Sequence, residues 1–417
     1  MKHACSSLKV WVLISLISGL LGPADAQQTN RNAGGYDLPR VFCLDPAKLA
    51  ESKARVRQGD KSLGPAMETL RTEADEALKA GPFSVMDKPH TPPSGDKHDY
   101  MSLGPYWWPD PNKPDGLPYI RRDGRVNPET RTTDTDRPAF GQMSEAVETL
   151  AFAWFFTDHR PYAEHAAKLL RVWFLDEATA MNPNLEFGQA IPGRTLGRDI
   201  GIIDTARLTR IVDAVGLLES SDTWTQADRS GMRRWCAEYL KWLRTSKHGQ
   251  GEEKQLNNHG TWYDAQVVSL SLFLDEAASA RTILEQVTSR RIDRHIEPDG
   301  RQPRELARTK SLGYSTMNLD GLFRLATMGQ KVGVDLWHYQ SSDGRSIRKA
   351  LDYLAPYADP EEKWPHEQIA EYSSAGLFAL LRRGSIVYRD RKYEALIRKM
   401  PAAETVADRT NLLWPRD

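Results

Sequence analysis

Cysteine is scarce in this chain, with three in 417 residues, and none stands in the company of histidines or other cysteines that a zinc site needs. Charge of one sign is never in excess: Lys+Arg and Asp+Glu both number 56, and there is no basic arm or charge run. That balance counts against a nucleic-acid partner, which requires a concentrated basic surface. It leaves room for a polyanion, because a local basic cleft does not require a basic whole. Beyond Leu21 no apolar run approaches the ~20 residues that span a bilayer, so the mature protein is expected off the membrane. No His-Glu-x-x-His or comparable ligand set occurs, and neither metal nor cofactor is expected. Period-two alternation is nearly missing too, which weighs against a sheet-built fold. What is present is an ordinary globular composition, 40% hydrophobic and 27% charged, with unremarkable glycine and proline.

Lys2 and Lys9 precede an apolar run from Val10 to Leu21, and Ala24-Asp25-Ala26 supplies a small-x-small end. These are the marks of a secretory signal peptide over residues 1–26, with cleavage after Ala26 and a periplasmic or secreted product. Cys5 leaves with the signal. Residues 27–417 show no convincing repeat or composition break, so a single domain, acting as a monomer, is the simplest expectation. Export permits a disulfide between Cys43 and Cys236. The helical setting of Cys236 suits a buried free thiol equally well.

Apolar residues recur at helical spacing in Phe140, Met143, Val147, Leu150, Ala151, Trp154 and Phe155. The same period runs through Ile203–Leu218 and Met232–Leu243. It predicts further helices near 160–175, 261–275, 278–295, 316–328, 344–356, 366–382 and 390–399. Short, turn-like linkers suggest hairpins packed side by side in an all-α fold. Two stretches resist helix assignment, about 84–137 and 181–201. The first contains Tyr106-Trp107-Trp108 among prolines and glycines; loops of this length in a compact domain are usually functional.

Chemistry gathers in two places. Asn257-Asn258-His259-Gly260-Thr261-Trp262-Tyr263-Asp264 opens a helical stretch, and helix capping explains one asparagine but not the histidine. Arg301, Arg304, Arg308 and Lys310 crowd the approach to Tyr314, which enters an otherwise apolar helix.

An Asn-His pair followed about fifty residues later by an Arg and then a Tyr resembles the alginate-lyase-like polysaccharide lyases. The resemblance extends to the Tyr-Trp-Trp-Pro segment and is strongest to the branch containing glucuronan lyases and broad-specificity alginate lyases. It implies an incomplete (α/α) toroid of six to seven helical hairpins with long loops over the cleft. It also implies cleavage of an acidic polysaccharide, a β-1,4-linked polyuronate, by β-elimination to 4,5-unsaturated ends. Asn258, His259, Arg308 and Tyr314 then take the catalytic positions. The local sequence around the Arg and Tyr departs from that of the classical alginate lyases, so Arg304 competes with Arg308 for the guanidinium role.

Elementary chemistry makes the same demands. Removing the C5 proton beside a carboxylate puts a second negative charge next to the first, so that charge must be neutralised. Asn258 and Arg308 offer donors for it. His259 or Tyr314 serves as base, depending on which face presents the proton, with Tyr314 as acid in either case. Tyr106, Trp107 and Trp108 are expected to stack on sugar rings or to anchor their segment. Arg194 and Arg198 are candidates for flanking carboxylates. Lys97, His98, Asp99 and Tyr100 form a polar cluster able to close over the cleft, while Trp364-Pro365-His366 reads as packing. Two competing readings are an (α/α)-toroid glycoside hydrolase using Asp199 or Asp204 with Glu305, and a non-catalytic glycan-binding protein.

Overall fold

A computed structural model describes Met1 and residues 38–416; the expected signal peptide lies, beyond Met1, outside the described residues. The helices are α1 (Pro46–Arg57), α2 (Gly64–Ala77), α3 (Asp136–Thr157), α4 (Arg160–Leu170), α5 (Leu208–Leu218) and α6 (Gln226–Thr245). Then come α7 (Lys247–Glu253), α8 (Asn258–Phe273), α9 (Ala277–Val287), the single turns α10 (Asp293–His295) and α11 (Pro303–Leu306), and α12 (Ser311–Lys331). The chain ends with α13 (Ile347–Leu354), α14 (Ala375–Tyr388), α15 (Arg391–Ile397), α16 (Ala402–Thr405) and α17 (Thr410–Leu413).

Helices α3, α5, α8, α12 and α14 each pack on the next and form an inner layer, with α2, α4, α6, α9, α13 and α15 behind them. This is an incomplete (α/α) toroid. Sequence separates the layers. In α6 the residues Met232, Trp235, Cys236, Tyr239, Leu240 and Leu243 are buried on one face and most of the rest is polar. Inner helix α8 is buried all round from Gly260 to Phe273, Asp264 and Gln266 included, so its polar groups must find internal partners. Each large apolar side chain so buried contributes about 1.5–3 kcal/mol. From Pro39 onward the chain forms one compact unit.

The two irregular stretches meet each other. β1 (Met101–Leu103) pairs in parallel with β4 (Phe187–Ala190), and β2 (Trp107–Trp108) pairs antiparallel with β3 (Ile120–Arg121). Strands of two to four residues are too short to leave a periodic signal. The segment is pinned to the toroid from inside: the Lys88 ammonium donates to Val85 O and Lys97 O and pairs with Asp136 at 3.1 Å.

Two expectations change, and one open alternative closes. The cluster at 97–100 is a joint and not a flap. His98 Nδ1 bonds Ala180 O, Asp99 accepts from Asn182 and Asn184, and buried Tyr100 donates to Asp204. Residues 366–374 are not helical. Their backbone instead runs along the approach to α12, with Ser311 N donating to Glu367 O and Ile369 N to Thr309 O. Tertiary pairing there overrides a weak helical pattern. Cys43 and Cys236 are both free and buried, and Cys43 Sγ rests 3.8 Å from Met328 Sδ.

Candidate active site

Helix α8 starts with the first pair of candidates. Asn257 is its cap, its side chain accepting from His259 N–H at 3.2 Å, so Asn258 and His259 fall in the first turn. Asn258 is 1% exposed and donates to Glu305 from its backbone N–H (2.6 Å) and from Nδ2 (2.8 Å). An amide nitrogen carries two hydrogens, so one remains for a ligand. His259 Nδ1 lies 2.9 Å from Oε1 of Glu252, a fully buried residue of α7. Burial pushes the carboxyls of Glu252 and Glu305 up, while His259 and Asn258 respectively pull them back.

The rest of the motif holds this turn in place. Asp264 accepts from Arg290 and from buried Arg291, whose other donors hold Gln255 O (2.8 Å) and Glu253 O (2.7 Å). The loop between α7 and α8 is thereby clamped on both sides of the Glu252–His259 contact. Gly260 is required: a Cβ there would overlap the Gln255 carbonyl and the Arg291 guanidinium.

The second pair meets where α12 begins. Arg308 Nη2 donates to the Tyr314 hydroxyl at 3.0 Å, and the guanidinium lies 4.0 Å from the Tyr314 ring centroid. Asp123, from the segment after β3, grips the same guanidinium at 2.8–3.2 Å. Burial opposes charge on Asp123, yet the hydrogen bonds and charge of Arg308 win and hold its carboxyl down at about 2. The Tyr106 and Tyr314 hydroxyls are 2.5 Å apart. Burial, and then Tyr106, push the Tyr314 phenol well above its usual range against the pull of Arg308. A guanidinium by itself favours the phenolate; here burial reverses the sign.

Helix α11 links the two starts. Glu305 holds Asn258, and Arg308 N–H donates to Glu305 O at 3.1 Å. One turn further in, Trp262 Nε1 donates to Met317 O at 3.1 Å. Arg304 is exposed, and among the described residues it has no hydrogen bond or ion pair, so the guanidinium beside Tyr314 is that of Arg308.

Other candidates divide. Trp107 lies beneath the Arg194 guanidinium at 5.1 Å, and Trp108 is bonded to Arg125 O and flanked by Arg122 at 5.2 Å; both rings are half-buried. Tyr106 reaches the catalytic candidates. Arg194 is exposed and donates to Tyr119 O. Arg198 is tied to Gln189 at 2.6 Å. The carboxylates suggested for hydrolysis are engaged internally: Glu305 by Asn258, Asp204 by Tyr100, Ser102 and Gln189, and Asp199 by Gln255.

Trp262 and Met317, three residues on from His259 and Tyr314, line a cavity of about 580 Å³ together with Arg131, Arg137, Arg207 and Arg210. The four catalytic candidates are not part of its wall, but the charge of Arg137 acts on Tyr314 and that of Arg131 on Tyr106. Among the described residues the side chains of Arg131 and Arg207 have no hydrogen bond or ion pair. Glu252, Asp123, Arg131, Arg137 and Arg207 were not legible in sequence. Glu252 sits in Gly251-Glu252-Glu253-Lys254, which reads as solvated surface, and Asp123 lies 185 residues from its partner. Among the described residues no group of three His, Cys, Asp or Glu side chains is placed to hold a metal ion.

A family model described as alginate lyase matches residues 84–364, which include every candidate above. The crystal structure of an alginate lyase from Bacteroides ovatus is 40% identical, with a TM-score of 0.87 over 91% of this chain and 100% of that one. At 14% identity, a variant of alginate lyase A1-III complexed with a tetrasaccharide shares the fold, with a TM-score of 0.57 over 91% and 97% of the two chains. So does alginate lyase A1-III from Sphingomonas species A1, at 16% identity and a TM-score of 0.52 over 84% and 95%. A comparison with curated protein sequences finds no match. Toroid and matches together define a polysaccharide lyase. Within that class, the chain belongs to the alginate lyase family.

Proposed function

We propose that this lyase cleaves a β-1,4-linked polyuronate, alginate or glucuronan, by β-elimination, in the periplasm or outside the cell. The observation that carries the reading is Tyr314, a phenol whose oxygen is held by Arg308 and Tyr106 while burial opposes its ionisation. A protonated phenol suits an acid and not a base, which leaves His259 to take the proton. The remaining Nδ2 hydrogen of Asn258 and the guanidinium of Arg308 neutralise the substrate carboxylate. His259 Nε2 removes the C5 proton, and the C5–H electron pair becomes the C4=C5 double bond. The C4–O bond breaks toward the bridging oxygen, which takes the Tyr314 proton. Solvent then returns the proton from the imidazolium to the phenolate, and both residues are restored.

The arginines of the neighbouring cavity support an acidic chain, since flanking uronates bring one carboxylate per sugar. Export is supported by the residue pattern from Lys2 to Ala26, and among the described residues no helix is long and apolar enough to cross a membrane. The test is to incubate the purified mature protein with alginate and glucuronan separately and follow the ultraviolet absorbance of the new double bond. Absorbance growing with either polymer is expected. Cleavage that leaves only saturated ends, or no cleavage of either polymer, overturns the reading.

A further inference from the structure

We infer that Glu252 is the positioning residue that makes His259 the base: it holds the Nδ1 hydrogen of a neutral imidazole and leaves the Nε2 lone pair for the substrate. This deepens, and rests on, the lyase reading above.

Glu252 is fully buried, and among the described residues its side chain has one hydrogen-bond partner, His259 Nδ1 at 2.9 Å; Oε2 has none. A buried carboxylate with a single partner costs folding free energy. A residue serving packing alone would be better replaced by an apolar one. Arg291 fixes the carbonyls of Glu253 and Gln255, so the carboxylate is held rigidly behind the ring. The charged and titratable groups around the pair are Asp199, Arg198, Arg291 and Tyr239 near Glu252, and Glu305 near His259. A carboxylate behind an imidazole sets the tautomer and stabilises the imidazolium that forms when the far nitrogen takes a proton. Were His259 a standing cation that neutralises the substrate, both ring nitrogens would carry hydrogen before the reaction.

Nitrogen NMR of the imidazole decides between these without substrate, with the His259 signals assigned by their loss in His259→Ala. At mildly alkaline pH the wild type is expected to show a protonated Nδ1 and a bare Nε2. In Glu252→Gln, whose amide can donate to Nδ1, the proton is expected to move at least partly to Nε2. The kcat of that variant should fall by about 10²–10⁴-fold, the usual span of a general base. The acid limb of kcat/KM should move to lower pH, since removing a negative charge disfavours the protonated pair. Glu252→Asp, which keeps the charge but shortens the reach, is expected to lower kcat while leaving that limb in place, a split that loss of packing would not give. A wild-type Nε2 that carries hydrogen, or a Glu252→Gln enzyme with unchanged tautomer and kcat, overturns the inference. If no polyuronate is cleaved, the lyase reading fails while the tautomer result stands on its own.

Discussion

The two halves of the site are built differently. On the toroid side, Asn258 and His259 occupy the first turn of α8 and are set by groups that see almost no water: Glu305, Glu252 and the Asp264–Arg291 pair. On the strap side, residues 101–125 deliver Tyr106 and Asp123 to Arg308 and Tyr314 through partly exposed contacts, the Asp123 side chain being 23% exposed. Buried polar pairs are costly to break, because the survivor is stranded in a poor solvent. Half-exposed pairs are cheap to break, because water replaces the lost partner. The toroid half therefore fixes geometry, and the strap half completes it at little cost in stability.

The largest effect expected is on chemistry at the point where the halves touch. Tyr314→Phe removes the acid and should lower kcat by about 10²–10⁴-fold with the far-ultraviolet circular dichroism unchanged. Activity within a few-fold of wild type would remove Tyr314 from the reaction. Next comes stability on the toroid side. Asp264→Asn strands Arg291, whose side chain is 1% exposed, and should cost about 3–5 kcal/mol in urea unfolding; a loss below about 1 kcal/mol would mean this half is no more rigid than the other.

The smallest effect on stability belongs to the strap. Asp123→Asn should change unfolding free energy by no more than about 1 kcal/mol, yet lower kcat/KM by about 10- to 100-fold as Arg308 loses its tether. The tether also has a predictable pH range. The Asp123 carboxyl is held below its usual 3.8, at about 2, so its contribution is complete above 3.8 and lost as pH falls through about 2. Protection of the strap from proteolysis should stay level from neutral pH down to about 4 in the wild type. A decline beginning near neutral pH would show that another group holds the strap.

Helices were legible where one face packs and the other is wet, as in α6. The pattern over 366–382 misled because Ile369 and Tyr372 sit at helical spacing, although Ile369 ends up 45% exposed beside the strap. The Asn-His and Arg-Tyr pairs were legible because each is close along the chain. Arg308 could be separated from Arg304 only by three-dimensional position: one touches Tyr314 and the other faces water. Glu252 and Asp123 carried no local signal, since a carboxylate among polar neighbours looks the same whether it is buried or solvated.

By itself the amino-acid order determined most of the helices, which residues could carry charge and protons, and which turns they occupy. Periodicity and capping are local properties, written within a dozen residues. Tertiary structure alone decided the burial of Tyr314, the partner of His259 and the tether on Arg308. Those depend on how much water each group keeps and on which distant charge arrives beside it, and neither quantity exists until the chain has packed.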